Sequence, residues 1–317
     1  MKIVILEGYA SNPHDLDWDG FRQYGDVTVY DNTLPGQVIE RCKNAEIVFI
    51  NKVPMTEAVF AACPSIRMVG LFATGYNVVD LAAASAHGVT VCNVPGYSTH
   101  AVAQMTWALL LEATQQVGLH NTAVHDGQWQ NAALFCFWNK PLTELLGKTM
   151  GIVGYGAIGR TVGAVAQAFG MRLLVTARHP KLVPEGAEFV DLPELLRRSD
   201  VVSLHCPQTA ENLHMIDAEA LARMKDGAIL INTARGGLID EAAVAAALQS
   251  GKLAYYGADV VSKEPILAEN PLLTAPNCIL TPHIAWAPKE TRVRLHAIAV
   301  ENLRAFLAGT PQNVVNP

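Results

Sequence analysis

The chain has little charge: Asp, Glu, Lys and Arg make up only 16% of its 317 residues, against 50% hydrophobic. That balance argues against disorder and for compact domains, and the length allows two, each with its own core. Basic charge is scarcer still. With a net charge of −6 there is no general basic surface, so nucleic acid is not an expected partner. Long hydrophobic runs are missing as well; the longest are broken by Glu, Gln or Gly within a few residues, so no membrane span is expected. The opening MKIVILEGYASNPHDLD lacks the long apolar stretch and small-residue cleavage site of a signal peptide, and reads as a first buried strand. The six cysteines, Cys42, Cys63, Cys92, Cys136, Cys206 and Cys278, contain no C-x-x-C pair. They read as reduced thiols of a cytoplasmic protein, and no metal site is expected.

What is present is an alternation of short apolar runs and helix-length segments. KIVIL (Lys2 to Leu6), VTVY (Val27 to Tyr30), IVFI (Ile47 to Ile50) and RMVGL (Arg67 to Leu71) read as buried strands of a parallel sheet covered on both faces. From Thr99 a long apolar helix, AVAQMTWALLLEATQQ, breaks the rhythm, and an irregular aromatic stretch follows it. A second series then runs TMGIVG, RLLVTA, DVVSLH, GAILINTA, LAYYGADV and NCILTP. The last helix, from Lys289 to Ala308, places Val293, Ala297, Val300, Leu303 and Leu307 at helical spacing, which predicts that they form its core face. The economical arrangement is a discontinuous first domain, residues 1–98 plus 287–317, with a second domain, 99–286, inserted into it. A cleft between two such domains is a common ligand site.

Gly154, Gly156 and Gly159 fit G-x-G-x-x-G directly after a strand and before a helix. The first glycine allows the tight turn, the second lets backbone approach a pyrophosphate, and the third permits close helix–strand packing. In that context the turn predicts dinucleotide binding, with the phosphates at the helix N-terminus. The next strand should end in an acid for the adenosine ribose, about twenty residues into the unit. In LLVTARHP (Leu173 to Pro180) that place holds Ala177. Alanine removes the repulsion an acid would exert on a 2′-phosphate, Arg178 could pair with that phosphate through two prongs, and Thr176 and His179 could add donors. This predicts NADP(H) over NAD(H). The other reading leaves Arg178 and His179 as solvated loop residues, with NAD still bound.

Three later strand ends carry reactive groups: Arg235 in ILINTARGGLIDEAAV, Asp259 and Glu264 in ADVVSKEP, and His283 in CILTPHIAW. Each alone has a bland explanation, a surface ion pair or a structural histidine. Together, at the carboxyl ends of strands in one sheet beside a dinucleotide turn, they predict an active site.

With GYGAIG, NTARGGLIDE, ADVVSKEP and PHIAW in this order, the chain resembles the D-isomer-specific 2-hydroxyacid dehydrogenases over nearly its whole length. The resemblance implies an α/β protein of two doubly wound parallel-sheet domains, a Rossmann dinucleotide-binding domain inserted into a flavodoxin-like substrate domain. It implies that Arg235 binds the substrate carboxylate and carbonyl, that His283 is the general acid/base, and that Glu264 pairs with His283. Asp259 resembles the residue that bonds the nicotinamide carboxamide. LFATGYNVVD resembles the loop whose amides hold the substrate carboxylate, pointing to Thr74 and Gly75, with Lys52 added to the substrate set. The cofactor set extends to Ala157, Ile158, His205, Cys206, Pro207, Thr233 and Ala234. The family's irregular stretch forms a dimer arm, which assigns that role to residues 120–146. The apolar WQNAALFCFW (Trp129 to Trp138) would be an exposed patch in a monomer, so a homodimer is expected.

The expected chemistry is hydride transfer between a nicotinamide cofactor and a small D-2-hydroxy or 2-oxo acid. Negative charge growing on the carbonyl oxygen would be met by Arg235 and His283. A carboxylate beside the imidazole favours its protonated form, and in the oxidative direction the same ring must be neutral. HIAWAPKETR, YASNPHDLDWDG and NVPGYSTHAVAQMTWALLLE look most like the glycerate dehydrogenase and hydroxypyruvate reductase branch, pointing to hydroxypyruvate or glyoxylate. Trp286 either walls the pocket or packs under the last helix. The alternatives are a phosphoglycerate dehydrogenase-like or other 2-oxo acid reductase, although the chain stops at Pro317 without room for the regulatory domain many such enzymes carry. A formate dehydrogenase would carry Gln where Glu264 stands. A dinucleotide-sensing binding protein without turnover is the alternative of another class, and the chain shows no appended interaction segments of the kind such a role would use.

Overall fold

The computed structural model describes residues 1–179 and 183–317. Pro180, which closes LLVTARHP, lies outside the described residues. The chain divides into two compact units, Met1–Ser98 with Trp286–Pro317, and Thr99–Ala285.

In the first unit the strands are β1 (Lys2–Ile5), β2 (Asp26–Val29), β3 (Ile47–Ile50), β4 (Met68–Leu71) and β5 (Thr90–Cys92). All pairings are parallel, in the order β2-β1-β3-β4-β5 of flavodoxin-like sheets. Successive side chains of a strand point to opposite faces, and both faces are buried here. Val4, Val48, Ile50, Val69 and Leu71 fill one core, whereas Ile3, Ile5, Ile47, Phe49 and Met68 fill the other. That is why these strands read as unbroken apolar runs. β5 is not expected from the sequence; only three residues long, it offers little pattern to read.

In the second unit the strands are β6 (Thr149–Val153), β7 (Arg172–Thr176), β8 (Ala187–Phe189), β9 (Val201–Leu204), β10 (Ala228–Asn232), β11 (Leu253–Ala258) and β12 (Cys278–Leu280). Among the described residues they form one parallel sheet, ordered β12-β11-β10-β9-β6-β7-β8, the Rossmann order with a further edge strand. β8 is also unforeseen, because an edge strand of sequence AEF carries no apolar run. The long helix Thr99–Gln115 lies on this sheet: Gly257 of β11 has no side chain, and a Cβ there would stand 3.2 Å from Leu109 Cβ. No helix is long and apolar enough to cross a membrane among the described residues.

The C-terminal helix spans Lys289–Leu307, but the face it buries only partly overlaps the one expected. Leu303 is buried as expected and Val300 packs partly against the core, but Val293 is 48% exposed and Leu307 39%, and Leu295 and Ala299 take their place, alongside Arg292, His296 and Asn302. The buried polar residues interrupt the stripe, so apolar spacing alone misplaces the face by part of a turn. Arg292 is satisfied by both carboxylate oxygens of Asp15, at 2.6 and 2.7 Å, and by the carbonyl of Ala287 at 2.8 Å. Trp286, expected in the inserted domain, belongs to the first unit and packs against the cluster of Trp18, Phe21, Phe49 and Phe72.

Candidate active site

In the second unit, every residue singled out for chemistry follows the carboxyl end of a strand. Gly154 follows β6, Ala177 follows β7, His205 follows β9, Thr233 follows β10, Asp259 follows β11 and His283 follows β12. Parallel strands present these loops along one edge of the sheet. The strand order reverses at β6, between β9 and β7, where an open sheet of this kind leaves a crevice.

Gly154 sits at φ +97°, in the region that favours glycine, and a Cβ there would fall 2.5 Å from Cys206 N. The glycine turn therefore touches the β9 loop backbone to backbone. Gly159 lies so close to Gly154 O that a side chain would collide with it. Gly156 is the opposite case, with nothing within 4 Å of where its Cβ would stand. It caps the helix Ala157–Ala168. The first-turn N–H groups of Ala157, Ile158 and Gly159 have no acceptor within the helix. Open space before those donors fits a pyrophosphate.

Around this turn, Thr176 and Ala177 are half-buried, and Arg178 and His179 are exposed. Arg178 Nη2 lies 3.4 Å from Glu211 Oε2, in a pair that is 66% and 82% exposed. Glu211, in the turn Ala210–Asn212, is a neighbour the sequence does not announce. His205 Nε2 is 2.9 Å from Ser203 Oγ, its Nδ1 is buried with no partner among the described residues, and burial draws the ring pKa down to about 3. Burial pushes the neighbouring Cys206 thiol up. Pro207 O accepts from Asn212 Nδ2 at 2.8 Å.

At the end of β10, Thr233 is buried with its hydroxyl 2.9 Å from that of Thr106 on the helix Thr99–Gln115. The side chain of Asn232 braces the turn that follows, accepting from Ala234 N at 3.0 Å and donating to Arg235 O at 2.9 Å. Arg235 is exposed and, among the described residues, makes no ion pair; its Nη1 donates to Ala234 O at 2.6 Å. Gly236 lies directly on the backbone of Val261 and Ser262, leaving no room for a side chain. This close approach sets the Arg235 turn against the loop that carries Glu264. Glu241 holds the same loop, accepting from Ser262 N at 2.8 Å and Ser262 Oγ at 2.7 Å.

His283 Nδ1 stands 2.7 Å from Glu264 Oε2, both side chains about one-third exposed at 30% and 33%. A carboxylate at Nδ1 fixes the tautomer: that nitrogen carries a proton, and Nε2 is left to exchange one. The His283 backbone is left-handed, at φ +56°, which is uncommon for any residue with a side chain. Asp259, only 1% exposed, accepts from Thr281 Oγ1 at 2.6 Å, Ile284 N at 2.9 Å and Ala285 N at 2.8 Å.

Lys52, Thr74 and Gly75 belong to the first unit, on the loops after β3 and β4. Lys52 is exposed, and its N–H donates to Glu7 Oε2 at 2.6 Å, as do those of Asn51 and Val53 at 2.9 and 2.6 Å. Thr74 donates its hydroxyl to Val94 O at 2.8 Å, and Asn93 Nδ2 bonds Thr74 O at 2.7 Å, which pins the loop to the segment after β5. These braces leave no mark in the sequence, because Glu7 and Asn93 lie far along the chain from the loops they hold.

Comparison with known proteins gives this geometry its context. The profile of the D-isomer specific 2-hydroxyacid dehydrogenase, NAD binding domain, matches residues 107–285. A hydroxypyruvate reductase of Blautia hydrogenotrophica is 52% identical over 100% of both chains. The chain belongs to the D-isomer specific 2-hydroxyacid dehydrogenases. A glycerate dehydrogenase of Methylorubrum extorquens is 42% identical over 99% of this chain and 98% of its own. Among solved structures, a protein of Thermus thermophilus superposes with a TM-score of 0.88 at 35% identity, covering 99% of this chain and 100% of that one. This dehydrogenase therefore shares both its units with its relatives, and the family match spans the Arg235, Glu264 and His283 loops.

Proposed function

We propose that this dehydrogenase reduces a small 2-oxo acid, hydroxypyruvate or glyoxylate, with NADPH. The observation that carries the reading is the Glu264–His283 pair at 2.7 Å, on loops beside an exposed Arg235 that has no acidic partner among the described residues. The names of the similar proteins, hydroxypyruvate reductase and glycerate dehydrogenase, support the substrate class.

When bound, the nicotinamide supplies hydride to the carbonyl carbon of the substrate. The chain's part is to meet the charge that grows on the carbonyl oxygen. Arg235 brings a permanent cation whose planar fork suits both a carboxylate and that oxygen. His283 gives a proton from Nε2 to the oxygen, and Glu264 holds the Nδ1 proton in place while the ring changes charge. Run backwards, neutral His283 takes the hydroxyl proton at the same atom. Lys52 and the Thr74–Gly75 backbone are read as further substrate contacts, and Asp259 as a cofactor neighbour, on their motifs.

NADPH is favoured because Ala177 presents no carboxylate to a 2′-phosphate and Arg178 offers an exposed guanidinium beside it. A second reading, NADH, draws on Glu211, whose carboxylate already attends Arg178. We also read the chain as a homodimer, on the aromatic residues that the arm leaves in solvent. Phe135 is 88% exposed, Leu134 72% and Trp138 66%. The cytoplasm is the compartment in which its six free thiols would stay reduced.

The test is the steady-state rate of hydroxypyruvate reduction with NADPH and NADH at equal concentration. Turnover with an NADPH preference supports the reading in full. Turnover with an NADH preference keeps the reaction and discards the role of Arg178. No turnover with hydroxypyruvate, glyoxylate or related 2-oxo acids rejects the substrate class.

A further inference from the structure

We infer that Asp259 is a positioning residue for His283: its buried carboxylate holds the Thr281 hydroxyl before the histidine and the backbone after it, and so sets the ring against Glu264. The inference rests on the reading of His283 as the proton donor, but its geometry stands independently. Oδ1 accepts the Thr281 hydroxyl, two residues before His283, at 2.6 Å, and the Ile284 N–H, just after it, at 2.9 Å. Oδ2 accepts the Ala285 N–H at 2.8 Å. Three donors from five consecutive residues thus converge on one side chain that is 1% exposed.

The clamp accounts for the shape of the loop. Thr281 N is held by Ala258 O at 2.9 Å, the residue before Asp259, so the chain leaves β12 tied to the end of β11. The His283 N–H then turns back to Thr281 O at 3.0 Å, and the backbone passes through φ +56° before Ile284 and Ala285 return to the carboxylate. A left-handed histidine persists only where its surroundings over-determine it. Here the surroundings are Asp259. Among the described residues, Glu264 acts on this turn at the ring, and Asp259 at the Thr281 hydroxyl and the backbone after the histidine.

A carboxylate with three donors has already met most of its demand, and a buried one is costly to leave partly unpaired. Asp259 therefore influences proton transfer through the His283 loop, beyond any contact with the cofactor carboxamide that its motif implies. Two roles are separable by experiment. Loss of a loop clamp lowers the rate of the bound complex and leaves cofactor affinity intact. Loss of a cofactor contact does the reverse.

The experiment compares Asp259→Asn, Thr281→Val and Thr281→Ser with the unaltered enzyme, measuring kcat, KM for the 2-oxo acid, and the Kd of NADPH by nicotinamide fluorescence. The NMR signals of the His283 ring are followed in parallel, since they need no substrate. Asp259→Asn should lower kcat on the order of 30-fold, as expected for disrupting hydrogen bonds to a charged group, and change the Kd less than about threefold. Thr281→Val should show the same pattern at about fivefold and shift the His283 ring signals, while Thr281→Ser, which keeps the hydroxyl, restores both. A tenfold weaker NADPH Kd with retained kcat in Asp259→Asn overturns the inference. If Asp259→Asn does not fold, Thr281→Val decides: unaltered kcat and ring signals overturn it. If the enzyme turns over none of the 2-oxo acids, the proposed reaction fails, and the ring signals alone still judge the clamp.

Discussion

Glu264 Oε2 and His283 Nδ1 are 2.7 Å apart, which on the proposed reading leaves the other imidazole nitrogen to trade protons with a substrate. Neither residue holds this arrangement alone. His283 follows β12 and Glu264 follows β11, adjacent strands whose pairing brings the two loops side by side. If His283 is the proton donor of the proposed reaction, His283→Ala should lower kcat by roughly 100- to 10,000-fold, the usual worth of a general acid. Glu264→Gln keeps a hydrogen-bond partner but loses the charge that steadies the imidazolium, and a loss of about 10- to 100-fold is expected. Steady-state assays with saturating cofactor read both. Wild-type turnover in His283→Ala would remove this residue from the chemistry.

Arg178 and Glu211 should pull cofactor choice in opposite directions. Their pair is long, at 3.4 Å, and largely exposed, so a doubly charged 2′-phosphate has little to displace. Arg178→Ala should therefore lower kcat/KM for NADPH about tenfold or more and leave NADH within about twofold. Glu211→Gln frees the guanidinium and takes away a negative charge, and should raise the NADPH-to-NADH ratio a few-fold. The ratio of kcat/KM values for the two cofactors is the measurement; equal effects of Arg178→Ala on both would show that the arginine does not see the phosphate.

Much of this site is readable from the chain because the reactive groups stand at strand ends, where position along the sequence translates directly into position along one edge of a sheet. Gly154, Arg235, Glu264 and His283 each follow an apolar run, and the runs are legible since both faces of the sheet are buried. The supports are less legible. Glu7, Asn232 and Asp259 act on backbone N–H groups, and any residue supplies those, so no residue pattern marks the partner. Glu211 reaches Arg178 through loop geometry that sequence separation conceals. The C-terminal helix misleads for a related reason: Arg292 and His296 look like solvent-facing residues until Asp15 and Ser11 are found beside them.

That buried histidine makes stability depend on pH. His296 stacks on Trp18 with ring centroids 4.7 Å apart, and its Nε2 is 3.0 Å from Ser11 Oγ. Burial, aided by the Arg292 charge and opposed by Asp17 and Asp15, lowers its pKa from the ordinary 6.5 to about 4. In the unfolded chain the ring takes up a proton near pH 6.5, and in the folded one only near pH 4. Between those values the unfolded state binds the extra proton, so stability falls as the pH falls, by up to about 1.4 kcal/mol per pH unit from this group. Above the unfolded pKa its contribution is present in full. Urea unfolding at about pH 7 and about pH 5, on either side of that pKa, should show a lower midpoint in the more acidic buffer, and a smaller drop in His296→Gln. Parallel pH dependence in the two proteins would assign the effect to other groups.

The arm is the last place where the chain makes a checkable demand. After the helix Val117–His125, turns carry Trp129, Leu134, Phe135 and Trp138 outward, and all four are more than half exposed, from 53% for Trp129 to 88% for Phe135. Local bonds hold their shape, with Trp129 Nε1 donating to Phe135 O at 2.9 Å and Asn139 N to His120 Nε2 at 3.2 Å. An ordered segment that leaves this many large apolar side chains in water is stable when a second surface covers them. A second copy of the chain would present the same arm and meet that need with two-fold symmetry. Light scattering of the purified protein should give twice the 34.1 kDa chain mass. Phe135→Glu combined with Trp138→Asp should shift it to the monomer at micromolar concentration, because charges buried at the centre of an apolar interface go unpaired. A monomeric unaltered protein would reject the dimer, and a mutant that stays dimeric would move the interface elsewhere.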